Sequence, residues 1–154
     1  MIDRVVAVRQ PMLYISTRTS ERASSIASTI KTSLDQVWRF MGGNGIVPAG
    51  RPLAIFEDWN GRLVTVEAGY PVGEHSLALA AGRIQAGHTP HGPAARTSVR
   101  SSIADAARQH EDFADRLHAA GLRTTGTTWE VYAEGGADGA RRTELYALLI
   151  APPA

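Results

Sequence analysis

Apolar positions in the first half of the chain switch between the spacing of strands and that of a helix. Residues 5–8 and 13–17 are predicted extended segments, in which Val5, Ala7, Leu13 and Ile15 recur at the two-residue period of a half-buried strand. The next apolar residues recur every three or four positions and predict one face of a helix of about five turns. They are Ile26, Ile30, Leu34, Val37 and Met41. Thr19 and Ser20 are candidate caps at its start, and the glycines of residues 42–45 predict its end.

A hairpin follows this helix. Residues 53–59 and 63–68 are predicted strands, and Asn60-Gly61 between them is the strongest short hairpin signal. The second half repeats the order. Residues 77–81 and 84–87 are predicted short strands, Ser101 and Ser102 precede a predicted helix, and residues 127–133 and 143–150 are predicted to form the last strands around a turn at residues 134–139.

The two halves align on the glycines that end their helices. When Gly45 is placed on Gly121, Phe56 falls on Tyr132 and Tyr70 falls on Tyr146. We therefore predict an α+β fold: a tandem β-α-β-β duplication with pseudo-two-fold symmetry, an antiparallel sheet, two main helices and a central groove. Residues 1–154 would form one domain, with halves of about 5–76 and 77–150. One β-α-β-β unit cannot bury the face of its helix and both faces of its sheet, whereas two units side by side can. The groove between the two units is a natural ligand cleft.

Composition excludes several classes of protein. The 154 residues carry 16 basic and 15 acidic side chains, so the chain lacks the basic stripe of a direct nucleic-acid binder. Without cysteine, disulfides, thiolate metal sites and cysteine nucleophiles are excluded. No apolar run is long enough for a signal peptide or a membrane span, so we expect a cytoplasmic protein that does not contact membranes. Nucleotide and dinucleotide fingerprints are absent, and no cofactor is expected.

The segment Trp129-Glu130-Val131-Tyr132 is the first candidate for chemistry. Strand alternation places Glu130 and Tyr132 on one face and Trp129 and Val131 on the other. Tyr146, across the closing hairpin, is expected near Glu130 or Tyr132. A carboxylate among aromatic rings is suited to hold an organic cation. An ordinary core strand with an exposed glutamate explains the pattern equally well.

Glu67 is the second candidate acid. It precedes a turn fixed by Gly69 and Pro71 and is expected to line the same cleft. A solvated glutamate at a strand end is the simpler alternative.

Other aromatic and histidine residues have weaker patterns. Tyr14, Trp38 and Phe56 are candidate ligand contacts, although most such residues are core. His75, His88 and His91 lie in or near a predicted loop, where a metal site is not expected. His110 lies on the apolar stripe of the second helix and is interpreted as a core histidine.

Three motifs together resemble the GyrI-like, or bacterial transcription-activator effector-binding, domain. They are Glu67-x-Gly69-x-Pro71-Val72, then His91-Gly92-Pro93, then Trp129-Glu130-x-Tyr132 followed by Thr143-Glu144-Leu145-Tyr146. The resemblance runs from about Val5 to Leu149. Ala94 departs from it, because the family often has an aromatic residue there. No DNA-binding helix-turn-helix precedes the domain, so the expectation is a standalone form.

The resemblance implies a ligand site in the groove between the halves. Glu130 would be the buried countercharge for a lipophilic cation, and Tyr146 would pack on the ligand. The leading hypothesis is therefore a small-molecule binding protein for sequestration or sensing. The alternative is a hydrolase that opens strained electrophilic rings, with Glu130 as general acid or base and Glu67 or Tyr132 assisting.

Protein partners are less defined by the sequence. Some members of the family that the sequence resembles inhibit DNA gyrase. Inhibition by DNA mimicry requires a strongly acidic surface, so the net charge of +1 does not favour a gyrase interaction. An edge strand near the N-terminus is a candidate for pairing two copies in a homodimer.

Overall fold

The fold was analysed from a computed structural model, which describes residues 1–100, 106–133 and 142–150. Within these ranges, eight strands and two α-helices follow one another along the chain, with one 3-10 helix at Glu74–Leu79. In chain order the elements are β1 (Asp3–Ala7), β2 (Pro11–Ser20), α1 (Ala23–Gly43), β3 (Leu53–Glu57), β4 (Leu63–Pro71), β5 (Gln85–His88), β6 (Gly92–Arg100), α2 (Ala106–Ala119), β7 (Thr124–Tyr132) and β8 (Arg142–Leu149).

All eight strands form one antiparallel sheet in the order β1-β6-β8-β7-β3-β4-β2-β5. The order is symmetric about the β3–β7 pair, where the unit β2-α1-β3-β4 meets the unit β6-α2-β7-β8. Each unit also receives an edge strand from the other half: β1 pairs with β6, and β5 pairs with β2. The predicted α+β duplication with pseudo-two-fold topology is confirmed.

Both α-helices cover the same face of the sheet. On α1, Ile26 and Ile30 pack against Phe56 and Val66, as the helical spacing predicts. On α2, Phe113 and Leu117 pack against β6 and β8. The opposite face, which we call the groove face, carries a separate cluster around Met12, Leu53, Ile55, Ala94 and Trp129. Burial of both faces explains why the central strand β3 is apolar at four consecutive positions.

Several boundaries differ from the sequence predictions. Thr19 and Ser20 do not cap α1, because β2 continues through Ser20, which pairs with Leu63 of β4. Residues 77–81 are not a strand, since a 3-10 helix occupies Glu74–Leu79.

β6 was not predicted at all. β6 begins with Gly-Pro and has no aromatic residue, and its two β-branched residues, Thr97 and Val99, lie near its end, so the strand signal is weak. β1 and β8 nevertheless pair with it on both sides. The hairpin at Asn60-Gly61 is confirmed: Asn60 Oδ1 accepts the N–H groups of Arg62 and Leu63, and Gly61 has a φ of 88°.

The alignment of Tyr70 with Tyr146 is wrong. Tyr70 lies on the helix side and contacts Trp38 of α1, whereas Tyr146 lies on the groove face against Trp129. The predicted caps Ser101 and Ser102 and the turn at residues 134–139 lie outside the described residues. Within the described ranges, no helix is long and apolar enough to cross a membrane.

Gly69 is required where β4 passes β2. A Cβ at this position would lie 1.9 Å from the carbonyl oxygen of Leu13 and 2.7 Å from the Cα of Tyr14, both backbone atoms. Relief of this overlap would require separating two paired strands directly beneath the groove.

We predict that Gly69→Ala lowers the free energy of unfolding by about 3 kcal/mol or more, since it forces backbone movement in a packed sheet. Urea unfolding followed by circular dichroism measures the change. Gly43→Ala is the matched control, because nothing lies within 4 Å of a Cβ there. Equal stability of the two variants would show that β2 and β4 separate more easily than the contact implies.

Candidate ligand-binding groove

A row of side chains crosses the groove face in strict register. Reading across the strands, Glu67 of β4 is aligned with Ile55 of β3, then Trp129 of β7, Tyr146 of β8 and Arg96 of β6. Residues paired in register point to the same face of a sheet. The row therefore places an acid at one end, an arginine at the other and two aromatic rings between them.

Trp129 and Tyr146 form a parallel stack in the middle of this row. Their ring centroids are 5.0 Å apart and their planes differ by 3°. Trp129 is buried, and the Tyr146 hydroxyl donates to Glu144 Oε2 at 2.8 Å. Burial, together with this bonded carboxylate, raises the pKa of Tyr146. The tyrosine is thus held as a neutral hydrogen-bond donor, and its ring direction is fixed.

A cavity of about 390 Å³ opens beside the stacked rings. Its apolar wall includes Val5 and Ala7 of β1 together with Leu53 and Val131 from the two central strands. Arg51, Arg96 and Glu144 supply charge around it, and Arg96 also forms an ion pair with Asp3 at 3.3 Å. This volume and the mixture of apolar walls with few polar groups are typical of small-molecule sites.

Glu67 lies at the acidic end of the row, outside the cavity itself. It is half-buried, and no hydrogen bond or ion pair of the described residues involves its carboxylate. Burial first, and then the charges of Glu57 and Asp58, raise the pKa of Glu67. The neighbouring Arg18 donates instead to the Asp58 carbonyl oxygen at 2.7 Å and to the Thr65 hydroxyl at 2.9 Å. A negative charge on Glu67 is therefore poorly compensated within the protein.

Tyr14 belongs to the same acidic end. Burial and then the charges of Glu67 and Glu57 raise its pKa. Its ring lies over Gly87 of β5, where a Cβ would be 2.8 Å from Tyr14 Cε1. Gly87 thus provides space that the Tyr14 ring occupies.

Glu130 lies on the opposite, helix-covered face. It is 5% exposed, and both of its carboxylate oxygens have partners. Oε1 lies 2.6 Å from His110 Nε2 of α2, and Oε2 accepts the Tyr132 hydroxyl at 2.7 Å. Burial, followed by the charge and hydrogen bond of Glu130, raises the pKa of Tyr132 well above its ordinary value. This cluster links α2 to the central strand β7.

The predicted ligand residues are therefore divided between the two faces. Trp129, Tyr146, Tyr14 and Glu67 share the groove face, whereas Glu130 and Tyr132 face the helices. The expectation that Tyr146 lies near Glu130 or Tyr132 is wrong, because Tyr146 pairs with Trp129 and successive strand residues alternate faces.

The remaining two aromatic candidates do not reach the groove. Phe56 is buried on the helix side, where its ring contacts the rings of Trp59 and His110. Trp38 is 54% exposed on α1 and contacts Tyr70.

Glu144, Arg96 and the β1 wall were not identified from the sequence. A signal for Glu144 exists, since it lies two residues before Tyr146 in a strand and shares its face. No local pattern reveals Arg96 or β1, because β6 and β1 reach the groove only through long-range pairing.

We predict that His110→Leu lowers the free energy of unfolding by about 3 kcal/mol, because it removes the partner of Glu130 Oε1 and leaves the buried carboxylate with the Tyr132 hydroxyl alone. Replacing both residues, His110→Leu with Glu130→Leu, removes the uncompensated carboxylate and should cost less than the single change. Urea unfolding of the four members of this cycle measures the coupling. Strictly additive losses would contradict a direct His110–Glu130 interaction.

No protein-family model and no curated protein matches the chain by sequence. Solved structures do match its fold. The C-terminal domain of EcmrR superposes with a TM-score of 0.76 at 15% identity, over 97% of both chains. The chain has the fold of a GyrI-like effector-binding domain.

Two further structures share this fold. SAV2435, solved bound to tetraphenylphosphonium, has a TM-score of 0.65 at 10% identity, over 97% of this chain and 94% of SAV2435. A hydrolase from Listeria innocua has a TM-score of 0.58 at 13% identity, over 97% of this chain and 91% of the hydrolase. The fold expected from the resemblance is thereby confirmed.

Proposed function

We propose that the chain binds a flat, aromatic, positively charged small molecule on the groove face, for sequestration or sensing. The observation that supports this most directly is the parallel Trp129–Tyr146 pair beside a cavity of about 390 Å³. A fixed aromatic surface next to apolar walls favours a flat ring system, since stacking adds to the burial of apolar area.

Glu67 supports the preference for a cation. The Glu67 carboxylate is half-buried and has no ion-pair partner among the described residues. A bound cationic ligand would compensate its charge, and by excluding water it would strengthen the attraction between the two charges. Neighbouring strands are roughly 4.8 Å apart, so Glu67 is about 10 Å from Trp129 across two strand spacings. The ligand therefore has to be a multi-ring cation that extends beyond the cavity, rather than a small ammonium ion.

One structural neighbour binds a cation with several aromatic rings, which supports the charge and the aromatic character of the proposed ligand rather than its flatness. Tetraphenylphosphonium, bound in SAV2435, is an aromatic cation of several rings. Glu130, which the family resemblance favoured as countercharge, is less suited to the groove ligand because its two oxygens are occupied on the other face of the sheet.

We predict that rhodamine 6G binds the wild-type protein and that Glu67→Gln weakens this binding by about 5- to 100-fold, as expected for loss of a partly desolvated charge pair. Fluorescence anisotropy measures the dissociation constant. Glu130→Gln is the matched control: it keeps the side-chain shape on the opposite face, and His110 can reverse its hydrogen bond, so affinity for the dye should stay within about two-fold.

Fluorescein has a related ring system with negative charge and separates charge from shape. Fluorescein should bind weakly, and Glu67→Gln should leave its affinity unchanged or increase it. Tyr146→Leu should lower the affinity for any dye that stacks on the Trp129–Tyr146 pair.

Lowering the pH through the raised pKa of Glu67 should weaken rhodamine binding, because the carboxylate becomes protonated. The proposal fails if Glu130→Gln abolishes rhodamine binding while Glu67→Gln leaves it unchanged.

A hydrolase is the second candidate function, and one observation favours it. The raised pKa of Glu67 suits a carboxyl group that donates and accepts protons nearer neutral pH. In hydrolysis of an epoxide, one water molecule adds across a carbon–oxygen bond. Glu67 would protonate the departing oxygen, and its carboxylate would then receive a proton from the water that attacks carbon.

We predict that a styrene-oxide-type substrate, if it is hydrolysed, yields diol at a rate that Glu67→Gln lowers by at least about 100-fold, the usual contribution of a general acid. Mass spectrometry of the product in ¹⁸O-water measures the added oxygen. Equal diol formation by the wild type, the variant and a buffer blank would exclude this activity and leave binding alone.

A further inference from the structure

The connections that lead from the two edge strands are too short for a flat sheet. β1 is first in the strand order and β2 is seventh, yet residues 8–10 alone join them. Six strand spacings of roughly 4.8 Å would separate the two strands by about 29 Å, whereas four Cα steps reach about 14 Å. Residues 89–91 join β5, the eighth strand, to β6, the second, under the same limit. The two ends of the sheet therefore curl towards each other.

The two connections meet on the groove face and are bonded to each other. The Thr89 N–H donates to the Gln10 carbonyl oxygen at 2.8 Å, and the Gln10 N–H donates to the Thr89 hydroxyl at 2.9 Å. The same hydroxyl donates to the Val8 carbonyl oxygen at 3.4 Å. Residues of both connections line the groove-face cavity together with residues of the central strands β3 and β7. We call residues 8–10 and 89–91 the strap, since they form a bonded bridge over this face.

The side chains beneath the strap are closed to a stacked ligand. Trp129 lines the cavity but is only 4% exposed, and one face of its ring packs on Tyr146. Ile55, which lies between Trp129 and Glu67 in the row across the sheet, is 2% exposed. A ring system that contacts Trp129 and extends to Glu67 must therefore displace part of the protein that covers these side chains.

The strap is the part of the cavity wall that moves without breaking the sheet. Apart from Arg51, the other described residues that line the cavity belong to strands paired in the sheet. The two hydrogen bonds of the Thr89 hydroxyl are exposed, so water replaces them when the strap opens. Each connection stays anchored at both ends. Opening is therefore a parting of the two connections, with the strand pairing intact.

We propose that the strap gates the groove: its two connections part to admit the ligand and stay apart while it is bound, and Thr89 holds the closed form. The inference rests on the proposed function, because the strap controls access to the same Trp129–Tyr146 pair. When only an open form binds, the apparent affinity is reduced by the fraction of molecules that are open. Contacts that stabilise the closed form therefore oppose binding, although they touch no ligand.

Thr89→Val is the first test, because it keeps the shape of the side chain and removes both bonds of the hydroxyl. It should raise the affinity for rhodamine 6G by about two- to ten-fold, mainly through faster association in stopped-flow fluorescence, since the open form gains population. Thr89→Ser keeps the hydroxyl and should behave as the wild type. Weaker binding by Thr89→Val would mean that Thr89 stabilises the bound form, and it would overturn the proposal.

A reversible disulfide across the strap is the second test. The chain has no cysteine, so Gln10→Cys combined with Thr89→Cys introduces its only two thiols, at positions joined by a backbone hydrogen bond. The oxidised protein should bind rhodamine 6G at least about ten-fold more weakly than the same protein after reduction, because the strap cannot part. The wild type under the same oxidant is the matched control. Equal affinity of the oxidised and reduced forms would overturn the gate and leave ligand binding intact.

A measurement without dye separates failure of the gate from failure of the proposed function. In a Trp38→Phe, Trp59→Phe background, which removes the two more exposed tryptophans, acrylamide quenching of fluorescence reports access to Trp129 alone. The disulfide should lower the quenching constant by at least about two-fold, and Thr89→Val should raise it above that of Thr89→Ser, because quenching requires opening. Equal quenching in all of these forms would overturn the gate whether or not a dye binds. Quenching that follows the strap, without dye binding by the wild type, would support the gate and refute the proposed ligand alone.

Discussion

The antiparallel pairing of β3 with β7 determines which side chains share each face of the sheet. It is the junction between the two β-α-β-β units, and it aligns Ile55 with Trp129. A shift of one residue would exchange the faces of every side chain on one half relative to the other. Trp129 would then lie under the helices and Glu130 in the groove. The apolar groove-face cluster and the His110–Glu130 contact both favour the observed register.

This register separates the two acids that the sequence places in similar aromatic surroundings. Glu130 is stabilised inside the protein by two hydrogen-bond partners, so its charge serves the attachment of α2. Glu67 has no such partner among the described residues and lies near Glu57 and Asp58, so its charge is more favourable in the presence of an external cation. Burial of a carboxylate alone therefore does not identify a binding group, and the presence or absence of partners distinguishes the two roles.

The sequence was sufficient for the fold class, both helices and most strands, because their periodicity reflects burial directly. Ile26 and Ile30 lie where the helical spacing placed them. The alternation of Trp129 and Glu130 was also correct. What failed depended on pairing between distant segments: the position of Tyr146 across the hairpin, the strand β6, and the contribution of β1 to the groove. Side-chain alternation within a strand does not reveal which face of the sheet the helices cover.

A structure of the protein with tetraphenylphosphonium or rhodamine 6G is the most direct test of the central claim that the groove face binds an aromatic cation. The ligand rings should contact Trp129 and Tyr146, with the positive charge directed along the sheet towards Glu67 and with the His110–Glu130 contact intact. A ligand bound beneath α2 against Glu130, with His110 displaced, would contradict the account and restore Glu130 as the countercharge.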